Sequence, residues 1–456
     1  MTPGKRIKEN TEQRKIQFRN FAAAAGLDED AMLEAAAEQA AVPVSGLRAS
    51  QKRGRLLSDQ LLRSFNKRPA YKDSYQFVAW RSLFMPTEII YAMDIMPFTT
   101  EMFAAQLSML GLARDRLETA EGSGFSPDLC SFINTGAGAM LEDILPSPDI
   151  ILTTSHLCDP AAKFATFTAH RYKRPEFVLD VPYGIWSLGS SATDIMKLNE
   201  SLDYVTMQLE DMTKFITRET GIKLDMEKLI EVIRRTNEAR KWLMMGNDLA
   251  RHSNPVICKG SKELNYAANL MQTWGTEEII DVYRTRCEEF QASLGSSGHA
   301  DPTRPRIIWF HLRPYYHNSL LGYVEEHADI VHSQVNHVYW DEMDLNDPFR
   351  SIARRLLLSP AYCPVRPRTE MIIEKMRKDE GIIAFYPKSC RHFHSSARIE
   401  AEMMKKAGIP MLIIDGDCID NRGDDFLVLK TRIDRFFKSL RRQARDDTQP
   451  LSAGVF

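Results

Sequence analysis

Three cysteines lie where chemistry usually occurs in α/β proteins. Cys158 follows the apolar run 149–154, and Cys390 follows a second apolar run at 381–386. Because ligands bind beyond the carboxyl ends of the strands in open parallel sheets, we expect both thiols at a cleft. Cys130 follows Ser-Pro-Asp, which is typical of the start of a helix. Three thiolates without a fourth would hold an iron–sulfur cluster that keeps one iron free for a substrate.

The neighbours of these cysteines also indicate helix starts. Asp159-Pro160 follows Cys158, and Arg391 adds positive charge beside Cys390. Free backbone N–H groups at a helix start lower the pKa of a thiol and stabilise an anionic cluster. Long gaps separate the three cysteines and no Cys-x-x-Cys pair occurs, so ordinary loop-to-helix junctions remain an alternative interpretation.

The other cysteines give weaker signals. Seven cysteines in 456 residues do not form a disulfide framework. Cys287 shares a helical face with Tyr283, which predicts a position in the core, and Cys258 is also predicted to be structural. Cys418 follows a predicted strand, and Cys363 precedes a proline, so a functional role stays open for both.

Four further side chains are candidates for the site. Ser82 and Glu88 follow the first predicted strand, and we expect both to face the same crevice, Ser82 as a substrate-binding residue and Glu88 as a proton-transfer residue. Arg313 follows a later strand and is expected to hold an anionic or acyl group, and His392 is a second candidate for proton transfer. The alternatives are a helix-start carboxylate for Glu88 and a surface or packing role for His392.

The composition excludes several classes of protein. The net charge is −2, so no basic field indicates a nucleic-acid partner. No apolar run approaches the ~20 residues of a membrane span, and the charged N-terminus lacks the core of a signal peptide. We therefore expect a cytoplasmic protein that binds neither nucleic acid nor membrane. The basic run 51–55 is predicted to interrupt an N-terminal helical segment as a solvated or packing element.

Strand and helix patterns alternate twice along the chain, which predicts an α/β protein with two Rossmann-like or flavodoxin-like parallel-sheet domains. Asp225 is expected to cap a helix in the segment between them. The predicted divisions are a helical N-terminal extension at 1–70, a first α/β domain at 71–190, a helical connector at 191–300, a second α/β domain at 301–440 and a polar tail at 441–456. The predicted strands are 75–80, 149–154, 176–181, 306–310, 328–332, 381–386 and 410–415.

Six segments in this order resemble one known family. They are Met85-Pro-Thr-Glu-Ile-Ile-Tyr-Ala-Met-Asp-Ile-Met-Pro97, Ser126-Pro-Asp-Leu-Cys-Ser131, Pro146-Ser-Pro-Asp-Ile-Ile-Leu-Thr-Thr-Ser-His-Leu-Cys158, Val178-Leu-Asp-Val-Pro-Tyr183, Lys388-Ser-Cys390 and Gly408-Ile-Pro-Met-Leu-Ile-Ile-Asp-Gly-Asp417. The chain resembles the 2-hydroxyacyl-CoA dehydratase family, which includes the B- and C-type subunits of ATP-dependent benzoyl-CoA reductases. The resemblance spans roughly residues 75–435.

The resemblance implies a cofactor and partners. Paralogous subunits of the family pair as heterodimers, and a [4Fe–4S] cluster lies between the two α/β domains of a subunit. Three cysteines hold the cluster, and its fourth iron takes a non-cysteine ligand. The residues that correspond here are Cys130, Cys158 and Cys390.

The resemblance also implies a reaction on a CoA thioester. A separate ATP-hydrolysing iron–sulfur activator supplies one electron, and a ketyl radical loses the 2-hydroxyl group and a C3 proton, so that an (R)-2-hydroxyacyl-CoA becomes a 2-enoyl-CoA. Reduction of an aromatic acyl-CoA is the alternative activity. An electron-relaying or structural partner subunit is a third possibility, and a double-cubane cluster with Cys363 and Cys418 is a fourth.

Overall fold

The computed structural model describes residues 3–67, 75–155, 158–182, 192–264, 266, 271–294, 301, 304–359, 364–423 and 425–446. The elements of the first half are α1 (Pro3–Ala24), α2 (Glu29–Ala41), α3 (Ala49–Ser64), β1 (Phe77–Arg81), α4 (Glu88–Ala92), β2 (Ile95–Phe98), α5 (Thr100–Met109), α6 (Ala113–Gly122), α7 (Ser131–Leu141), β3 (Ile150–Thr154), α8 (Asp159–Tyr172) and β4 (Glu176–Leu179). The central helices are α9 (Ala192–Thr220), α10 (Met226–His252), α11 (Gly260–Glu263) and α12 (Glu277–Ser293).

The second half returns to alternating strands and helices. Its elements are β5 (Arg306–His311), α13 (Leu320–His327), β6 (Asp329–Ser333), α14 (Pro348–Leu357), α15 (Val365–Ile373), β7 (Glu380–Pro387), α16 (Arg391–His394), α17 (Ala397–Lys406), β8 (Met411–Gly416) and α18 (Phe426–Asp446). Short 3₁₀ turns occur at Val44–Gly46, Met271–Thr273 and Gln334–Asn336. No helix in the described ranges is both long and apolar enough to cross a membrane.

Each half forms a four-stranded parallel sheet, and the two sheets have the same strand order. The orders are β2-β1-β3-β4 and β6-β5-β7-β8. All residues of β1, β3 and β7 are buried, because helices cover both faces of a parallel sheet. In each sheet the second strand in chain order lies on one side of the first strand, and the third lies on the other side. The topological switch point is therefore between β1 and β3 in the first sheet and between β5 and β7 in the second. The predicted fold class is confirmed.

One strand was not predicted from the sequence. β2 has four residues, and one of them is Pro97, which cannot donate a hydrogen bond to a neighbouring strand. It pairs only with β1 at the edge of its sheet, where a proline is tolerated. A short run that contains proline therefore gave no strand signal.

The N-terminal helices pack on the first sheet. The guanidinium of Arg14 on α1 is fully buried and pairs with Asp149 at 2.5 Å, while Asp149 accepts a hydrogen bond from the backbone N–H of Val78. This buried pair fixes α1 to β1 and to the entry of β3. The basic run 51–55 does not interrupt a helix as predicted, because it lies inside α3, where Lys52 pairs with Asp281 at 2.8 Å.

The helices of the connector begin and end largely as predicted. Asp225 caps α10, because its Oδ1 accepts hydrogen bonds from the backbone N–H groups of Glu227 at 2.9 Å and Lys228 at 3.4 Å. α18 continues to Asp446, so the first residues of the predicted polar tail at 441–456 are helical. Leu440 of α18 packs against the backbone of β7 at Gly381.

Candidate active site

One cavity of about 280 Å³ lies at the carboxyl ends of both sheets. Its walls include Ser82 after β1, Cys158 after β3, Leu312 after β5 and Cys390 after β7. Both topological switch points therefore face the same cavity, which is where α/β sheets bind ligands. Much of the remaining wall is apolar and includes Phe84, and charged and imidazole side chains line other parts of it.

The three cysteines singled out by the sequence line this cavity together. Each occupies the N-cap of a helix: Cys130 precedes α7, Cys158 precedes α8 and Cys390 precedes α16. None of the three side chains makes a capping hydrogen bond within its helix. Backbone N–H groups of the first helical turns nonetheless lower the pKa of each thiol: Phe132 and Ile133 for Cys130, Ala161 for Cys158, and His392 and Phe393 for Cys390.

Neighbouring side chains connect the three cysteine loops. Asp159, next to Cys158, accepts a hydrogen bond at 3.1 Å from Arg391, next to Cys390. Ser131, next to Cys130, donates its backbone N–H at 3.2 Å to Oγ of Ser389. The three loops come from both halves of the chain, so their proximity depends on the folded arrangement of the two sheets.

Burial dominates the titration of these thiols. It raises the pKa of Cys130 well above its usual value, an effect that Cys158 and Cys390 reinforce. Burial likewise raises the pKa of Cys158 to about 12 and raises that of Cys390. The lowered pKa predicted from the helix starts is therefore wrong, because loss of solvent outweighs the N–H donors. Nucleophilic cysteines need a lowered pKa, whereas metal coordination ionises a buried thiol outright.

The cysteines fit a cluster better than a single ion. Across the described part of the chain, no three His, Cys, Asp or Glu side chains are close enough to hold one metal ion. A single ion draws every thiolate to within about 2.3 Å of one centre. In an iron–sulfur cluster each thiolate can bind a different iron, which allows the sulfurs to lie farther apart. Three partly buried thiols around one cavity, each with backbone N–H groups nearby, suit such an anionic group.

Two oxygen-bearing side chains face the cavity beside the cysteines. Ser82 lines the wall, and its Oγ is buried without a hydrogen-bond partner among the described residues. Glu101, in the first turn of α5, also lines the wall and accepts a hydrogen bond from the backbone N–H of Leu83 at 3.3 Å. Burial raises the pKa of Glu101, so its carboxyl group takes up a proton more readily than an exposed one.

Arg81 fixes the loop that carries Ser82 through hydrogen bonds to the backbone of that loop. Nη1 of this buried arginine donates to the carbonyl oxygens of Ser82 at 2.9 Å, Leu83 at 2.8 Å and Met85 at 2.6 Å. Burial lowers the pKa of Arg81 to about 10, which still leaves the guanidinium charged at neutral pH. The bonds fix the turn after β1 and so position Ser82 at the cavity.

Two sequence-predicted site residues lie outside the cavity. Glu88 does not face the crevice with Ser82 as expected, since it is fully buried and both its oxygens accept hydrogen bonds from Arg355 at 2.6 Å. Arg313 does not contribute to the cavity wall either. Its guanidinium lies 4.9 Å from the ring centre of Tyr315, which is itself part of the cavity wall.

His392 lines the cavity, as its position after Cys390 suggested. Its Nε2 lies 3.4 Å from Nη1 of Arg368, whose Nη2 donates to Glu400 at 2.6 Å. His311 also contacts Glu400, with its Nε2 at 3.0 Å from the carboxylate. His392 therefore lies at the cavity end of a buried charged network.

Three other cysteines in the described part of the chain lie away from the cavity wall. Cys287 is fully buried in α12, which confirms the predicted core position. Cys418 is also fully buried, and it belongs to the apolar core of the second half rather than to the cavity surface. Cys258 lies beside a small separate pocket, and Cys363 falls outside the described residues.

Cationic and imidazole groups gather on the opposite wall. Lys375 is exposed, and its Nζ lies 2.9 Å from Nε2 of His337, while Arg251 donates to the carbonyl oxygen of Lys375 at 2.5 Å. Burial, reinforced by nearby positive charge, lowers the pKa of His337 to about 4 and that of His332 to about 3. Both imidazoles are therefore neutral, and Lys375 and Arg251 carry the positive charge of this wall.

Comparison with known proteins relates this chain to one enzyme family. Residues 82–440 match the family model of the 2-hydroxyglutaryl-CoA dehydratase D-component. The chain is 23% identical over 376 residues to the (R)-phenyllactyl-CoA dehydratase alpha subunit of Clostridium sporogenes, which covers 79% of this chain and 89% of that subunit.

Two further relatives are about equally similar. Identity is 22% over 396 residues with the (R)-2-hydroxyisocaproyl-CoA dehydratase alpha subunit of Clostridioides difficile, covering 83% of this chain and 92% of the relative. It is 23% over 390 residues with the B subunit of benzoyl-CoA reductase from Thauera aromatica, covering 78% and 88%. Since the family match includes all three cavity cysteines and most of both sheets, the chain belongs to the 2-hydroxyglutaryl-CoA dehydratase D-component family.

Proposed function

We propose that this protein is the iron–sulfur subunit of an enzyme that removes water from an (R)-2-hydroxyacyl-CoA to give the 2-enoyl-CoA. The observation that carries the proposal is the convergence of three helix-capping cysteines on one largely apolar cavity. Family membership supports an acyl-CoA dehydratase, and the relatives named above include two dehydratase alpha subunits.

The proposed cofactor is a [4Fe–4S] cluster held by Cys130, Cys158 and Cys390, with one iron free of cysteine. Bound there, it would supply one-electron chemistry and a Lewis-acidic iron at the cavity. The chain itself provides backbone N–H groups near each thiol, which would stabilise the anionic cluster, and a largely apolar wall, which would limit access of water.

The walls are consistent with a CoA thioester. Lys375 provides positive charge at the cavity, where the phosphates of CoA would be favoured, while neighbouring Arg251 is paired with Glu380 at 3.2 Å. A second cavity of about 110 Å³ shares Phe84 and Tyr339 with the first and is also lined by Trp274. This adjoining space suits a bulky apolar or aromatic acyl group.

Three wall residues are proposed to donate a hydrogen bond to the substrate or to transfer a proton. Dehydration removes the 2-hydroxyl group and a proton from C3, and the electron that starts the reaction is returned, so the net change is loss of water. Glu101 is the proposed acid–base group, because its carboxyl group faces the cavity and burial raises its pKa. Oγ of Ser82 is proposed to donate to a substrate oxygen, since no described protein group satisfies it. His392 is a second candidate for the proton transfer.

A second function is reduction of an aromatic acyl-CoA. The similarity to the B subunit of benzoyl-CoA reductase equals that to the phenyllactyl-CoA dehydratase subunit, at 23% identity in both. Aromatic side chains in the adjoining cavity also suit a ring substrate. In this case the electrons would remain in the product.

The proposed assembly has two further proteins. The relatives are named as alpha or B subunits, which supports a multi-subunit enzyme. We propose that a paralogous subunit pairs with this chain and that a separate ATP-hydrolysing iron–sulfur activator delivers the electron. A role confined to relaying electrons for the paralogue is the remaining alternative.

The test is reconstitution without oxygen of this chain, its paralogue and the activator. The substrates are (R)-phenyllactyl-, (R)-2-hydroxyisocaproyl-, lactoyl- and (R)-2-hydroxyglutaryl-CoA, with benzoyl-CoA alongside. Formation of an enoyl-CoA from any hydroxyacyl-CoA supports dehydration, whereas consumption of benzoyl-CoA with net uptake of electrons supports ring reduction. An active complex whose turnover is unaffected by Ser82→Ala and Glu101→Gln would contradict the roles proposed for both side chains.

A further inference from the structure

A buried carboxylate joins two of the cysteine loops across the halves of the chain. Asp417, just after β8, is 3% exposed. Its Oδ1 accepts from Oγ of Ser131 at 2.5 Å, and its Oδ2 accepts from Oγ of Ser389 at 2.6 Å. Ser131 follows Cys130 directly, and Ser389 precedes Cys390 directly. One carboxylate therefore connects the helix start of one ligand to the turn of another.

Asp417 accepts hydrogen bonds from two further groups, which are neutral like the two serine hydroxyls. The backbone N–H groups of Ile419 and Asp420 donate to Oδ1 at 2.9 Å and 3.0 Å. The donors described for Asp417 are thus two hydroxyls and two backbone N–H groups, which solvate the negative charge without cancelling it. An anionic group in a low-dielectric region makes addition of a further negative charge nearby less favourable.

The two hydroxyls also contact each other. Oγ of Ser389 accepts from the backbone N–H of Ser131 at 3.2 Å and lies 3.3 Å from Oγ of Ser131. This closed set of hydrogen bonds includes the backbone of α7, so a shift of either loop breaks several bonds at once. Asp417 therefore helps to fix the separation of Cys130 and Cys390, together with the direct contacts between Ser131 and Ser389.

We propose that Asp417 is a positioning residue that holds Cys130 and Cys390 for the cluster and that its uncancelled charge lowers the reduction potential of that cluster. The proposal rests on the proposed function for the cluster itself. Net charge and hydrogen bonds around a cluster are among the determinants of its potential. A low potential suits a site that must pass an electron to a thioester.

The alternative is a purely local role for Asp417. Two of its hydrogen bonds come from residues 419 and 420, which is the pattern of a side chain that closes its own turn. In that case the substitution would disturb the loop after β8 and leave the cysteine pair unaffected. The two roles predict different results for a charge-removing and a contact-removing variant.

Asp417→Asn keeps the shape and most hydrogen bonds but removes the charge, while Asp417→Ala removes the contacts. The matched control is Asp420→Asn, because Asp420 is a nearby carboxylate whose charge is already paired with Arg422 at 2.9 Å. Each variant is purified without oxygen, and iron content, release of iron to a chelator and the midpoint potential are measured. A second measurement on iron-free chain follows the rate at which a short dithiol-reactive reagent cross-links Cys130 to Cys390 in a Cys158→Ala background.

The expected results distinguish the effect of the Asp417 charge on the reduction potential from its role in positioning the cysteines. Asp417→Asn keeps its iron and shifts the potential upward, whereas Asp417→Ala loses iron at least about tenfold faster, as expected for loss of several charge-assisted hydrogen bonds. Cross-linking slows in Asp417→Ala alone, and the control matches wild type throughout. An unchanged potential in Asp417→Asn would overturn the charge effect, and normal cross-linking with normal iron release in Asp417→Ala would overturn the positioning role. Absence of iron in wild type together with slowed cross-linking in Asp417→Ala would refute the proposed function and the charge effect but leave the positioning role standing.

Discussion

Replacement of Glu88 by glutamine tests whether this residue supports the fold rather than the reaction. Glu88 on α4 is fully buried, and the side chain of Arg355 on α14 is 12% exposed. The pair joins the first half of the chain to the second, and Thr236 on α10 adds a hydrogen bond to Glu88 at 3.1 Å. The substitution leaves Arg355 in a mostly buried position without its counter-charge.

The structure sets the size of the effect. Removing one partner of a buried ion pair costs about 3–5 kcal/mol, because the other charge stays desolvated. Glutamine can still accept one hydrogen bond from Arg355, and the guanidinium has some access to solvent, so we expect the lower end of about 3 kcal/mol. Arg355→Met should cost a similar amount, and the double variant should cost less than the sum of the two.

The effect should depend on pH. Burial alone would raise the pKa of Glu88, but Arg355 outweighs it, and the pKa is lowered from its ordinary value of 4.5. Because the folded-state pKa lies below the unfolded one, the stabilisation is fully present above about pH 4.5. It declines as the pH falls through the lowered value, so Glu88→Gln and wild type should converge in acid.

Urea unfolding of iron-free protein, followed by tryptophan fluorescence from about pH 2 to pH 8, measures these differences. Turnover per folded complex should be unchanged in Glu88→Gln at a temperature where the variant is fully folded. A loss of less than about 1 kcal/mol at neutral pH, or a large loss of turnover with normal stability, would refute the structural role.

Three other substitutions have specific expected results. Glu101→Gln should lower kcat by about 10²-fold or more with normal iron content. It should also remove the rise of activity with pH that the raised pKa of Glu101 gives in wild type. An unchanged pH profile would exclude Glu101 as the base. Lys375→Gln should raise KM for CoA thioesters by about two- to fivefold at low salt and leave the phosphate-free pantetheine thioester unaffected, as steady-state kinetics can show. Cys287→Ala should lower the free energy of unfolding by about 1–3 kcal/mol through a buried cavity without loss of iron.

Local patterns were sufficient to predict the architecture. Continuous apolar runs identify β1, β3 and β7, because strands covered on both faces carry no polar alternation. The positions of Cys158 and Cys390 after two of these runs place them at the ligand-binding edge of each sheet. That both edges face one cavity follows only from how the two halves pack.

The sequence could not separate the acidic residues near the site. Glu88 and Glu101 both lie in the first turn of a helix. A carboxylate there commonly does no more than stabilise the helix by its favourable interaction with the helix dipole. The difference between them is Arg355, which is remote in sequence from Glu88 and pairs with it in the fold. Glu101 instead faces the cavity and accepts a backbone N–H, which is a property of the packed structure rather than of its neighbours in the chain.

Iron and acid-labile sulfide in the anaerobically purified chain test the central claim most directly. Wild type and Cys287→Ala should each contain about four irons per chain with matching sulfide. Cys130→Ala, Cys158→Ala and Cys390→Ala should each lose most of the iron while they remain folded. Full iron content in all three variants, or no iron in wild type purified alone and with its paralogue, would contradict the three-cysteine cluster site.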